Sequence, residues 1–243
     1  MIDPIYLAGA AVAAMVGLAK CGIPGVAILA VPLMAIVFRD ARASVGILLP
    51  VLITADCFAV GYYRSHADWP KLAKIFPWVG CGILAGWGAL KVADRDLFGP
   101  VLGALILALV ALDLLRQRGN WTRMPHHPAF AALIGVSAGV ATTVANAAGP
   151  LMILYCLCHE LDKQKFMGSL AWYFLIVNLI KVPIYIVEDM ITVESIQFNL
   201  AMIPAVALGA VGGRWILPRI PGVMFTRVVL ILTVLAAIRL LAM

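Results

Sequence analysis

The chain has 243 residues, 64% of them hydrophobic and only 12% charged, with a mean hydropathy of +1.04. An ordinary soluble domain carries about 25% charge, so this composition excludes a water-soluble fold and places the chain in a bilayer. The net charge of +6 is then an orientation signal in cytoplasmic loops, not a nucleic-acid footprint.

The first apolar stretch, 5–38, is interrupted by Lys20-Cys21-Gly22-Ile23-Pro24-Gly25. Roughly 15 apolar residues run into the break and roughly 13 run out, each half short of the about 20 helical residues that a hydrocarbon core requires. A lysine, two glycines and a proline at that depth leave backbone groups that lipid cannot satisfy. Such a break is expected inside protein or against a water-filled cavity. Ahead of it, Met1-Ile2-Asp3-Pro4 lacks the basic n-region of a signal peptide. Apolar spans follow at about 43–63, 72–91 and 97–115. The polar stretch 116–128 then carries Arg116, Arg118, Arg123, His126 and His127. A second broken segment covers about 129–159, interrupted from Thr142 to Pro150, and spans at about 166–187, 195–217 and 222–242 complete the chain. The pattern predicts an all-α integral membrane protein of eight hydrophobic segments, with segments 1 and 5 broken at mid-membrane.

The two halves match each other. At an offset of 122, Gly17 falls on Gly139, Asp40 on Asp162, Gly46 on Gly168, Asp56 on Asn178 and Tyr63 on Tyr185. At an offset of 127, Pro77 falls on Pro204, Gly86 on Gly213 and Phe98 on Phe225. These are positions where the backbone or a site constrains the choice, and repeats of this size are expected in secondary transporters. The predicted organisation is a first repeat at 1–117, a basic linker at 118–128 and a second repeat at 129–243.

Charge bears on topology. If each broken segment crosses the membrane once, the 16 basic residues other than Lys20 and Lys181 divide 7 to 9 between the two faces, which shows no bias. If each is a re-entrant hairpin that leaves by the face it entered, the same residues divide 11 to 5. The positive-inside rule prefers the second arrangement. It leaves three crossings per repeat, so the repeats would be inverted and both termini would lie outside the cytoplasm.

Lys20 is the sharpest chemical signal, because a mid-membrane ammonium costs several kcal/mol. It reads as an anion ligand at the first hairpin tip, or as a partner of Asp56, or as a structural lysine reaching a vestibule. Pro24-Gly25 and Gly149-Pro150 each open a half-helix whose N-terminus is a ready anion site. Gly22, Thr142, Thr143 and Asn146 would complete the two tips, although threonines also serve helix packing. Asp56 and Asn178 occupy equivalent places: Asp56 could pair with Lys20, accept a coupling proton or make a structural hydrogen bond. Lys181, on the same helical face as Asn178, is a second candidate for substrate charge, and Trp172 a candidate for the cavity wall. The five cysteines, all in apolar segments, and the His126-His127 pair have no metal-site spacing. Hydrolase and ATP-binding signatures are absent from the sequence, so neither an enzyme nor an ATP-driven pump is expected, and no cofactor.

Gly17-Leu18-Ala19-Lys20-Cys21-Gly22-Ile23-Pro24-Gly25, followed by Val31-Pro32-Leu33, resembles the first signature of the sulfite exporter TauE/SafE family. Ala145-Asn146-Ala147-Ala148-Gly149-Pro150, Leu161-Asp162-Lys163, Ala171-Trp172-Tyr173-Phe174 and Asn178-Leu179-Ile180-Lys181-Val182-Pro183 resemble its second. Cys21 and Ile23-Pro24 depart from the family's glycine-richer pattern. The resemblance implies a secondary transporter of a sulfur-containing anion (sulfite, sulfoacetate or a related organosulfonate) in a bacterial-type inner membrane. Protons are the expected coupling ion, and a homodimer stays open. Rival readings are an anion channel, a transporter of another small organic anion and a non-transporting membrane scaffold.

Overall fold

The computed structural model describes residues 4–22, 26–93, 95–118, 128–216 and 222–242. Among these residues ten α-helices follow in order: α1 Pro4–Cys21, α2 Ala30–Phe38, α3 Ala41–Tyr63, α4 Trp69–Val92, α5 Arg95–Arg118, α6 Pro128–Ala145, α7 Gly149–Cys158, α8 Lys163–Val187, α9 Val193–Ile216 and α10 Gly222–Leu241. A 3-10 turn, Val26–Leu29, leads into α2. Among the described residues, six stretches, in α1, α3, α4, α5, α8 and α9, are long and apolar enough to cross a membrane. Ile23, Pro24 and Gly25, together with the His126-His127 pair, lie outside the described residues.

Polar residues set where the helices begin. Asp40 accepts the Ala43 N–H at 2.9 Å, Asp68 that of Lys71 at 3.2 Å, and Asp162 those of Gln164 and Lys165 at 3.0 and 2.9 Å. Each carboxylate satisfies a donor that the first turn leaves free. At the start of α9, Ser195 Oγ accepts the Thr192 N–H while Thr192 Oγ1 accepts the Ser195 N–H, a reciprocal cap. These caps start α4, α8 and α9 two or three residues earlier than hydropathy alone places them.

Close backbone approach fixes which helices pair. A Cβ added to Gly17 would lie 2.2 Å from the Val206 carbonyl oxygen, and one on Gly209 would lie 1.9 Å from that of Ala14. Thus α1 runs alongside α9 in the same direction. The second seam repeats the first: Gly139 meets the Val79 carbonyl at 2.3 Å and Gly82 meets that of Val136 at 2.2 Å, pairing α6 with α4. Small residues are what such seams require in lipid, where van der Waals contact drives helix association. Gly103 against Ala237 and Leu240 joins the start of α5 to the end of α10.

Two faces result. On one, the terminal face, lie the starts of α1, α3, α5 and α9 and the ends of α2, α4, α8 and α10. Tyr6 and Phe38 both meet the Phe198 ring there, at 5.3 and 5.2 Å, so α2 returns to the face from which α1 sets out. The linker face holds the α3–α4 loop and the ends of α5, α7 and α9. There Tyr155 donates to the Lys71 carbonyl and Lys71 to that of His159, so α7 comes back to the face where α6 begins. With 18 residues, α1 is about 27 Å long and runs beside most of α9. It is longer than the sequence break suggests, because Lys20 and Cys21 continue the helix. Outward-facing Leu84, Leu133, Leu200, Leu208, Trp215 and Ile231 are exposed, the apolar surface of a multi-pass membrane protein.

Candidate functional site

Between the end of α1 and the start of α7 lies a cavity of about 40 Å³. Ala19 and Lys20 of α1, Ala27 and Ile28 of the 3-10 turn, Leu52, Asp56 and Ala59 of α3, Asn146, Ala147 and Gly149, and Met167, Leu170, Ala171 and Phe174 of α8 enclose it. Its charged end is an ion pair, Lys20 Nζ to Asp56 Oδ1 at 2.7 Å, with the carboxylate fully buried and the lysine side chain 9% exposed. Asn178 Nδ2 donates to the other carboxylate oxygen at 2.6 Å. The Lys20 ammonium also lies 3.7 Å above the Phe174 ring, a cation–π contact that holds it without spending a proton donor. Lys20 is the charged group that reaches the cavity with access beyond its own partner.

The second tip is built by Asn146. Asn146 adopts φ 51°, in the left-handed region that Asn tolerates better than most residues, and α6 ends there. Its N–H and that of Ala147 turn back to the carbonyls of Thr142 and Ala141. Its side chain is committed at both ends: Nδ2 donates to the Val45 carbonyl at 2.8 Å and Oδ1 accepts from Lys181 at 2.5 Å. Lys181 is fully buried, and its ammonium also donates to the Thr142 carbonyl and hydroxyl, both at 2.9 Å. A cation at the C-terminal end of α6 has the sign that a helix end favours. Gly149 opens α7 on the cavity wall.

The expected site residues therefore divide. Lys20, Asp56, Asn146 and Gly149 meet at the cavity, and Asn178 supports Asp56 from behind. Thr142 and Lys181 bind each other behind the second tip. Thr143 donates to the Gly139 carbonyl and packs on Gly86, facing α4. Trp172 donates to the Arg64 carbonyl at 3.1 Å and meets the Trp69 ring at a tilt of 53°, at the linker-face rim. Gly22 is a half-buried turn residue after α1, and Gly25 lies outside the described residues. Three residues not singled out for the site belong to its frame. Phe174 carries Lys20, while Tyr63 donates to the Cys21 carbonyl at 3.2 Å and Tyr185 to that of Thr143 at 2.8 Å. The match of Tyr63 to Tyr185 was the signal for that pair: each braces the end of the helix that leads into a tip. Phe174 had no such signal.

On the terminal face a separate polar cluster ties three helices. Arg42 meets Glu188 at 2.9 Å and the Leu90 carbonyl at 2.9 Å, and Trp87 Nε1 donates to Glu188 at 2.8 Å. Among the described residues no group of three or more His, Cys, Asp or Glu side chains is placed to hold a metal ion.

No curated protein and no solved structure matches the chain. The family model of the sulfite exporter TauE/SafE family matches residues 6–240, nearly the whole sequence and every helix of the site. A buried ion pair at the edge of a small cavity, on a scaffold of apolar spans, is consistent with the anion transport for which that family is named. The chain belongs to the sulfite exporter TauE/SafE family of membrane proteins.

Proposed function

We propose that this protein is a secondary transporter that carries sulfite, or a sulfur oxyanion of similar size, by alternating access around the cavity between the two tips. The observation that carries the reading is the placement of Lys20, buried in the bilayer-spanning core yet reaching a cavity that also receives the N-terminus of α7. Unpaired N–H groups at that helix end and the lysine together favour an anion. Volume supports the smaller substrates: a water needs about 10–15 Å³ measured this way, so about 40 Å³ accommodates roughly three or four non-hydrogen atoms. Sulfite has four, whereas sulfoacetate needs considerable widening.

In this reading α1–α2 and α6–α7 are re-entrant hairpins and the halves are inverted repeats. Support comes from bonds that recur at one offset: Tyr63 to Cys21 and Tyr185 to Thr143, Asp40 to Ala43 and Asp162 to Lys165, Asp56 to Asn178. The linker face is cytoplasmic in this reading, since the hairpin arrangement of the sequence assigns to it 11 of the 16 basic residues other than Lys20 and Lys181. An anion that takes Lys20 leaves the Asp56 charge to be neutralised, and a proton does so. Asp56 is therefore the coupling group.

The test is sulfite flux in proteoliposomes. Counterflow driven by a sulfite gradient is expected in the native protein, with competition by sulfite far stronger than by sulfoacetate or acetate. Lys20→Met should abolish it while the protein still elutes as a folded species. Full flux in that variant would remove Lys20 from the site, and no flux in the native protein would remove the transport reading.

A further inference from the structure

The cavity is one-sided with respect to the repeat. Two pairs of its wall residues are each other's counterparts at the offset of 122, Leu52 with Phe174 and Ala27 with Gly149. Behind them, the Asp56–Asn178 hydrogen bond joins another such pair. The middle of the cavity therefore lies where the two halves meet. Apart from Ile28, Asn146 and Ala147 at the tips, the rest of its wall comes from Ala19, Lys20, Ala59, Met167, Leu170 and Ala171, the linker-face ends of α1, α3 and α8. Their counterparts are Ala141, Thr142, Lys181, Val45, Leu48 and Leu49. All six are buried, none more than 2% exposed, and they pack together toward the terminal face. Asn146 to Val45 and Lys181 to Thr142 close that side.

We propose that Ala141, Thr142, Lys181, Val45, Leu48 and Leu49 are the walls of a second anion cavity, closed in this structure, which forms toward the terminal face when the two halves exchange conformations. Lys181 is its cation. It stands where Ala59 stands in the present cavity, while Thr142 stands in place of Lys20. The small oxyanion is thus held against Lys20 on the linker-face side and handed to Lys181 on the other. This assignment rests on the alternating-access reading. It also explains a fully buried lysine whose hydrogen bonds all go to neutral oxygens, with the Tyr185 ring beside it, a costly arrangement if it serves packing alone.

The experiment is thiol labelling of Leu48→Cys and, as its counterpart, Leu170→Cys, each in the full-length chain in proteoliposomes of known orientation. A membrane-impermeant maleimide is added to one face at a time, and the native chain with its own cysteines serves as the blank. Leu48→Cys should label from the terminal face and not from the linker face, and Leu170→Cys the reverse. Sulfite flux is measured in the same vesicles. Absence of terminal-face labelling at residue 48 overturns the second cavity even where flux is normal. Labelling without flux keeps the cavity and removes the transport assignment. In flux-competent vesicles, Lys181→Met should weaken the half-saturation for sulfite presented at the terminal face by roughly tenfold, and by clearly more than it weakens the linker-face value, which it touches only through Asn146. Equal weakening at both faces would overturn the handover.

Discussion

Removing one member of the Lys20–Asp56 pair should cost more than removing both. At 2.7 Å and an effective dielectric of about 20, the two charges attract by roughly 6 kcal/mol. Desolvating each costs several kcal/mol, so the net contribution of the intact pair is close to zero. A single substitution strands the survivor, which typically costs about 3–5 kcal/mol. The two single variants should differ. Lys20→Met leaves Asp56 fully buried and held by Asn178, and belongs at the upper end. Asp56→Asn leaves a lysine that still has the Phe174 ring and the cavity, and belongs at the lower end. For a chain of this size 1 kcal/mol corresponds to about 2–4 °C in Tm, so the single variants should melt roughly 6–20 °C lower in detergent. Lys20→Met/Asp56→Asn should recover most of that loss. Thermal unfolding followed by intrinsic fluorescence reads all four proteins. A double variant whose loss equals the sum of the single losses would refute the coupling, and single losses under about 2 °C would refute the burial cost.

Gly209→Ala should separate α1 from α9 by about 1.4 Å, the shift needed to bring a Cβ from 1.9 Å out to an ordinary C···O contact of about 3.3 Å; Gly82→Ala needs only about 1.1 Å from 2.2 Å. Both should lower Tm, by roughly 1–3 kcal/mol of overpacking, with Gly209→Ala the worse of the two, and reversed order would contradict the seam geometry. Glu188→Ala leaves Arg42 and Trp87 without their shared acceptor and should destabilise by about 2 kcal/mol, whereas Glu188→Gln retains an acceptor and should lose less in the same melt. The Lys165 N–H, helped by that of Gln164 and the Lys165 charge, holds the Asp162 carboxyl below its usual range. A depressed carboxyl stabilises above its unfolded value near 3.9 and loses that contribution as pH falls through the lower folded value. The Tm gap between the native chain and Asp162→Ala should therefore close below about pH 4, and a gap that widens there would contradict the cap.

Much of the frame was legible in the sequence because it depends on residue types with few alternatives. Asp56 and Asn178 were matched by spacing alone, and the structure joins them. The ends of α1 at Cys21 and of α6 at Ala145 fall inside the interruptions that the sequence shows from Lys20 to Gly25 and from Thr142 to Pro150, where lysine, threonine, asparagine, glycine and proline cluster. What was not legible is which apolar residue faces inward. Phe174 in an apolar run looks like a lipid-facing or packing aromatic, and only the position of Lys20 gives it a role. Trp172, two residues earlier, points instead to the rim, a difference of 200° around a helix that hydropathy does not register. Lys181 was correctly placed with Asn178 on one helical face, but that spacing says nothing of Thr142 and Asn146, which occupy its ammonium. A lysine after an apolar run reads as the end of a helix, whereas the buried Asp56 carboxylate on α3 lets α1 continue through Lys20 to Cys21.

The hydrogen bond between Asp56 and Asn178 constrains how such a chain can arise. Two residues that face each other across a junction of matched halves would, in halves of identical sequence, be the same residue meeting itself. An asparagine can do this, donor to acceptor and acceptor to donor. An aspartate cannot at 2.6 Å without sharing a proton with its twin, because two carboxylates that close repel. Two copies of the first half could not replace the whole chain with this bond intact. Once aspartate occupies one side of the junction, covalent fusion allows the other side to become a neutral donor. On the inverted-repeat reading, divergence of the two halves at this position keeps one ionised carboxylate at their junction with no twin to repel it.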